Sequence, residues 1–171
     1  MKRLGAFATL TSTLLLAFSL STDNALAQQK SIKEQLVGSW VLVSNNNIAP
    51  SGEKRQLFGN NPKGMTIYDA SGWYVQLQIN PDRPKFKGKT RLDGTAEENR
   101  AVVRATAGHF GTWSVNEEDK TLTVHQVANV FPNDDGQVST RAITLTGDEL
   151  TVRTPNPSSG GSAVLVWRRV K

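Results

Sequence analysis

The two ends of the folding unit constrain this chain most. Gly38-Ser39-Trp40 opens a β-like run, Trp40 to Ser44, and a second run, Val164 to Val170, stands close to the last residue. A Trp on a first strand and arginines on a last strand suit a sheet whose two edges meet. The indole covers the end of the core, and a guanidinium can stack on its face while donating to nearby carbonyls. Trp40, Arg168 and Arg169 are the expected closure. The clearest strand between them is 73–79, where Trp73, Val75, Leu77 and Ile79 alternate with Tyr74, Gln76 and Gln78. That is a period of two with one apolar face.

Turn chemistry divides the rest into short strands. Asn45-Asn46-Asn47 and Pro50-Ser51-Gly52 are expected to end the first strand, and Arg55 to Phe58 reads as a brief second one. Asp69-Ala70-Ser71-Gly72 joins Met65–Tyr68 to Trp73–Ile79 as a hairpin. Thr95-Ala96-Glu97-Glu98 is a capping-box pattern and starts a helix expected to run to about Ala107. Strands follow at Phe110–Val115, Leu122–Val130, Val138–Leu145 and Leu150–Arg153, with a flexible 155–162 loop before the last. Eight to ten hairpin-connected strands with one short helix indicate an all-β, up-and-down antiparallel barrel. An open sandwich is the alternative.

The first residues read as an export signal. Lys2 and Arg3 precede an apolar run from Leu4 to Leu20, and Ala25-Leu26-Ala27 places small residues before a cut expected after Ala27. Residues 28–171 then form one domain, in the periplasm or outside the cell of a bacterium. The chain has no cysteine, so no disulfide supports the fold and no lipidated thiol anchors it. The formal charge of +5 is spread along the chain and falls by one when Lys2, Arg3 and Asp23 leave together. Without clustered basic residues interleaved with aromatics, it does not indicate a nucleic-acid binder.

With these pieces in place the chain resembles the lipocalin-like domain family, bacterial and fungal proteins of the calycin barrel type, from about Leu36 to Val170. The resemblance rests on Leu36 to Ser44, Phe58 to Gly64, Ile67-Tyr68-Asp69 with Gly72, and Asp82-Arg83-Pro84. It continues through Gly94 to Glu98, Phe110-Gly111-Thr112, Val124-His125, Phe131-Pro132-Asn133 with Gly136, Arg141, Leu145 to Leu150 and Val166 to Arg169. Ser71, His109, Trp113 and Asp134 depart from the family pattern at positions near the cavity or its rim. The resemblance implies a barrel with an internal cavity that takes a small ligand.

Within such a barrel, Trp73, Val75, Leu77 and Phe110 are expected to supply apolar wall, with His125, Arg141 and Tyr68 orienting a small, mostly hydrophobic molecule that carries an acidic group. Arg141 shares an alternating face with Ile143 and Leu145, where a permanent charge needs an anion or several carbonyls. A salt bridge at the barrel mouth would serve equally. His125 is either a cavity anchor or a half-exposed strand residue, and Tyr68 either a cluster member or a residue of the sheet margin. Arg83, Lys85, Lys87, Lys89 and Arg91 fall on alternate positions and, if extended, would offer one cationic row to an anionic surface; a solvated loop is the plainer reading.

Templates for catalysis are weak. The two histidines lie on different strands with no cysteine or neighbouring carboxylate run, so no metal is expected. There is no Gly-x-Ser-x-Gly elbow and no phosphate-binding glycine loop, so no cofactor is expected. Three functions follow. The first is a ligand-binding barrel, monomeric or weakly associating; the second a cavity isomerase or hydratase with His125 as base; the third a non-catalytic envelope protein.

Overall fold

Ser31 starts the folded part of the chain by capping a single helical turn, α1 (Ile32–Leu36). Its hydroxyl accepts from the Glu34 backbone while the Glu34 carboxylate accepts from the Ser31 amide. The computed structural model describes residues 30–171, so the expected leader and its cut after Ala27 lie outside the described residues. Glu117, on a distant turn, accepts from the Ile32 and Lys33 amides and pins the helix N-terminus there. This places Leu36 as a fully buried plug at one end of a barrel.

The barrel is built from β1 (Gly38–Ile48), β3 (Lys63–Tyr68), β4 (Trp73–Ile79), β5 (Thr106–Asn116), β6 (Thr121–Asn129), β7 (Val138–Thr146), β8 (Glu149–Pro155) and β9 (Ser162–Arg169). Each pairs antiparallel with the next, and β1 pairs back with β9, closing the eight-stranded sheet; β2 (Lys54–Arg55) adds a two-residue flap to β1. Closure leaves no free edge along the barrel. Helix α2 (Ala96–Arg104) covers one side of the open end, capped by Thr95 and Glu98 as the sequence indicates.

Boundaries differ from expectation in three places. Asn45 to Asn47 do not end β1; they pair with Leu165 to Ala163 of β9 and continue the strand to Ile48. Helix α2 stops at Arg104 instead of Ala107, because Thr106 and Ala107 are taken into β5 by pairing with Ile79 and Gln78. The strand expected over Arg55–Phe58 shrinks to Lys54–Arg55, and Phe58 is buried near the open end.

The core is confined to the closed end. Trp40, Leu42, Tyr68, Tyr74, Trp113, Leu122, Val124, Ile143, Leu150, Val152, Leu165 and Trp167 form one buried cluster under Leu36. Tyr68 lies edge-on to Trp113 at 5.2 Å between ring centres and stacks with Tyr74 at 6.3 Å. Trp167 Nε1 is, among the described residues, the buried side-chain polar atom left without a partner, a cost of about 1–3 kcal/mol that the surrounding packing offsets. The closure expected from the two ends is present. Trp40 donates to the Leu36 carbonyl at 2.9 Å, and the Arg169 guanidinium sits 4.1 Å above its ring while donating to the Val37 and Gln35 carbonyls. Arg168 has no part in this; it is exposed and points outward.

Candidate functional site

Above the core the barrel changes character. Inward positions nearer the open end carry Asn45 and Asn47 on β1, Gln76 and Gln78 on β4, His109 on β5, Gln126 and Asn129 on β6, Ser139 and Arg141 on β7, and Thr154 on β8. Together with rim residues they surround a cavity of about 900 Å3. That volume is of the size that ordinarily holds a small molecule. The mouth is framed by Val103 and Arg104 of α2, Leu57 and Arg55 after β1, Val130 and Phe131 after β6, and Pro157 to Ser159 between β8 and β9.

Two hydrogen-bonded groups line the wall. Asn45 donates to Gln78 Oε1 at 2.5 Å, Asn47 donates to Asn45 Oδ1 at 2.7 Å, and Ser159 donates to Asn47 Oδ1 at 2.9 Å, running from the lumen to the mouth. Beside it on β4 and β5, His109 Nδ1 lies 2.9 Å from the Tyr74 hydroxyl, and its Nε2 lies 3.2 Å from the Gln76 amide nitrogen. With that amide donating, Nε2 is the acceptor and Nδ1 carries the proton toward Tyr74. Burial first, and then the nearby Arg141 charge, pushes the His109 pKa down from 6.5 to about 3. The ring is therefore neutral at physiological pH. Burial likewise raises the Tyr74 and Tyr68 hydroxyls.

A pH dependence of stability follows from the sign of the His109 shift. The folded value is below the unfolded one, so the unfolded chain binds the proton first. The stability contributed by the neutral ring is fully present above pH 6.5 and is lost as pH falls toward about 3. The slope approaches ~1.4 kcal/mol per pH unit within this window. The carboxylates held low by hydrogen bonds, Glu34, Glu98 and Asp69, start from ordinary values of 4.5, 4.5 and 3.8 and add their losses only in the acid part of it. Urea unfolding at pH 7 and pH 5.5 should show the fall in the wild-type protein. His109→Gln, which keeps a polar side chain but cannot titrate, should flatten it; an equal slope in both would assign it elsewhere.

Arg141 is the charge at the centre of the site. It is 5% exposed, points into the cavity, and has as its side-chain contact Ser139 Oγ, 3.4 Å from Nε. Among the described residues no carboxylate lies within ion-pair distance of it. Burial draws its pKa down, opposed by the Tyr68 and Tyr74 hydroxyls and by Asp134 on the rim. A guanidinium nonetheless stays cationic. The salt bridge at the mouth that the sequence allows is absent among these residues.

The other expected site residues are placed differently. Trp73, Val75, Leu77 and Phe110 face away from the barrel, 43–49% exposed, and line no part of the cavity. The partners of the β4 set, Tyr74, Gln76 and Gln78, are inward. His125 pairs with Thr112 on the outer face and is exposed, so it cannot act as a base on a molecule in the cavity. Tyr68 is inward but fully packed in the closed-end core, below the cavity. The alternate cations do not form one row. The 80–94 segment bends, Arg83 is part-buried on the Asn80 carbonyl, and Arg91 begins a 3-10 turn, leaving Lys85, Lys87 and Lys89 exposed in a loop held to α2 by the Lys87 amide and Glu98.

This combination of a closed eight-stranded meander, an apolar closed end and a lined cavity is matched by sequence. A family model for the lipocalin-like domain covers residues 37–170. The chain belongs to the lipocalin-like domain family. Among solved structures, this lipocalin-like protein is similar to a mutant of the fluorescent protein UnaG, at 16% identity and a TM-score of 0.38, over 80% of this chain and 97% of that one. No match was found among curated proteins.

Proposed function

We propose that this lipocalin-like barrel binds a small amphipathic acid, its anionic group held by Arg141 and its apolar part lying toward the mouth. The observation that carries the reading is the buried guanidinium aimed into a 900 Å3 cavity with no carboxylate beside it. A charge so placed needs a counter-ion, and a bidentate oxyanion fits its fork. His109, neutral and held by Gln76 and Tyr74, leaves Arg141 as the cation deep in the cavity. Apolar contact comes from Leu57, Phe58, Val103, Val130 and Phe131 at the rim, so the hydrophobic character expected of the ligand belongs to its outer part. Arg55 and Arg104 at the mouth, against Asp134, favour entry of anions.

The leader-like start of the sequence supports export of the mature barrel. Intact-mass measurement of protein recovered outside the cytoplasm should give a chain beginning at Gln28; a chain retaining Met1 there would refute processing. For the ligand, calorimetric titration with medium-chain carboxylic acids and their matched primary alcohols tests the reading. The acids should bind at least ~10-fold more tightly. Equal affinities for acid and alcohol would refute it.

A further inference from the structure

The apolar residues that do not face the cavity make a surface of their own. On the outer side of five adjacent strands stand Val41 and Val43 of β1, Met65 and Ile67 of β3, Trp73, Val75 and Leu77 of β4, Phe110 of β5 and Val127 of β6, each 36–49% exposed. Register makes them neighbours: Val41 pairs with Met65 and Met65 with Leu77, while Ile67 pairs with Val75 and Val75 with Phe110. Interfaces of standard size bury about 800 Å2 on each partner, and nine large apolar side chains left between a third and a half exposed on adjacent strands supply a surface of that order. Scattered exposed apolar residues are ordinary, but a continuous field of this size is not.

We propose that this wall is the self-association face of a two-fold dimer. Area is the first argument. Charge is the second, because like-charged copies of a chain with net +5 repel wherever their cations meet. On the outward positions of β1 and β3 to β6, Lys63 at the open end is the one lysine, arginine or carboxylate, and Arg168 of β9, opposite Val41, borders the face; the remaining neighbours are Ser39, Asn46, Thr112, Ser114, Asn116, Thr121, Thr123, His125 and small or apolar residues. Shape is the third. The residues lie on the strands of the barrel wall, not on its loops, with similar exposure, which suits sheet-on-sheet stacking, whereas a lipid surface is met by projecting loops or helices with a basic fringe. Stacking through this wall leaves both mouths free, since none of these nine residues lines the cavity.

Sedimentation velocity on the purified protein, from about 1 μM to about 1 mM, reads this directly. A concentration-dependent dimer is expected, weakened at least ~100-fold by Val75→Lys at the centre of the face. Phe110→Gln, which adds no charge, should weaken it with the far-ultraviolet spectrum and melting temperature unchanged, separating loss of the interface from loss of fold. A monomer at every concentration overturns the proposal, as does a dimer that both variants leave intact. Another occupant is also an outcome against it: a monomer that adsorbs to lipid vesicles through the same face.

Discussion

Arg141→Met should yield a protein that is more stable than its parent and no longer prefers acids. Met has nearly the length of the arginine stem and no charge to desolvate, so it can lie against Ala163 and Leu165, core residues that also line the cavity. Replacing buried ionic groups by apolar ones of similar volume commonly stabilises, here by about 1–4 kcal/mol. A bound anion would lose its partner in the same change. Truncating one member of a buried charge pair costs about 2–5 kcal/mol, so affinity for carboxylic acids should fall at least ~30-fold while that for the matched alcohols stays put. Urea unfolding and calorimetry on the same preparation test both halves. A less stable variant would mean that Arg141 is part of the frame; unchanged acid affinity would remove it from the ligand site.

Trp40→Ala attacks the other end of the barrel and should be the most damaging single truncation there. Trp40 is fully buried, supports Leu36 from below, and provides the face on which Arg169 lies. Loss of a buried indole costs about 3–5 kcal/mol, and for a domain of this length that lowers Tm by roughly 10–15 °C. Arg169→Lys tests the clasp more gently. It keeps the charge but cannot donate to the Gln35 and Val37 carbonyls as a planar fork while stacking on the ring. A loss of about 1–2 kcal/mol is expected. If Trp40→Ala melted within a few degrees of the wild type, the closed end would not be where the fold is held.

Those two sites mark what the residues reveal and what they conceal. The closure was legible because its parts are chemically distinctive, a Trp at the start of the first long strand and an Arg at the end of the last. Only the choice between Arg168 and Arg169 needed the register. Arg141 was legible for the same reason, being a permanent charge between apolar neighbours. The lining of the cavity was not. On β4 the ordinary rule that apolar residues face inward selects Trp73, Val75 and Leu77, yet the inward set is Tyr74, Gln76 and Gln78. The direction is fixed by the hairpin, which pairs Tyr68 with Tyr74 and commits both to the core. Once one residue of a strand is placed, the period of two places the rest.

A signal for this was available in the kind of polarity. The alternate residues of β4 are a tyrosine and two neutral amides, without the lysines and glutamates usual on a solvent face. Asn45 and Asn47 were harder still. The irregularity between Leu42 and Ser44 shifts the register against β9, so alternation counted from Trp40 points to the wrong residues beyond it. At Gly111 the bulged pairing of β5 with β6 brings backbone so close that a Cβ would collide with the His125 carbonyl, a requirement that spacing alone does not disclose. His109 was visible only as a departure from the family pattern, with no indication of Gln76 and Tyr74 as its partners.

The division of the barrel into an apolar closed half and a polar open half has a consequence for inheritance. Residues that hold the fold and residues that meet the ligand occupy different levels of the same strands. A change at Gln126 or Thr154 alters what the lumen recognises while the cluster around Trp40 and Trp113 is untouched. Mutations at distant, independent sites combine nearly additively. A lineage carrying this plan can exchange one cargo for another by small steps, each taken on a foundation that remains folded.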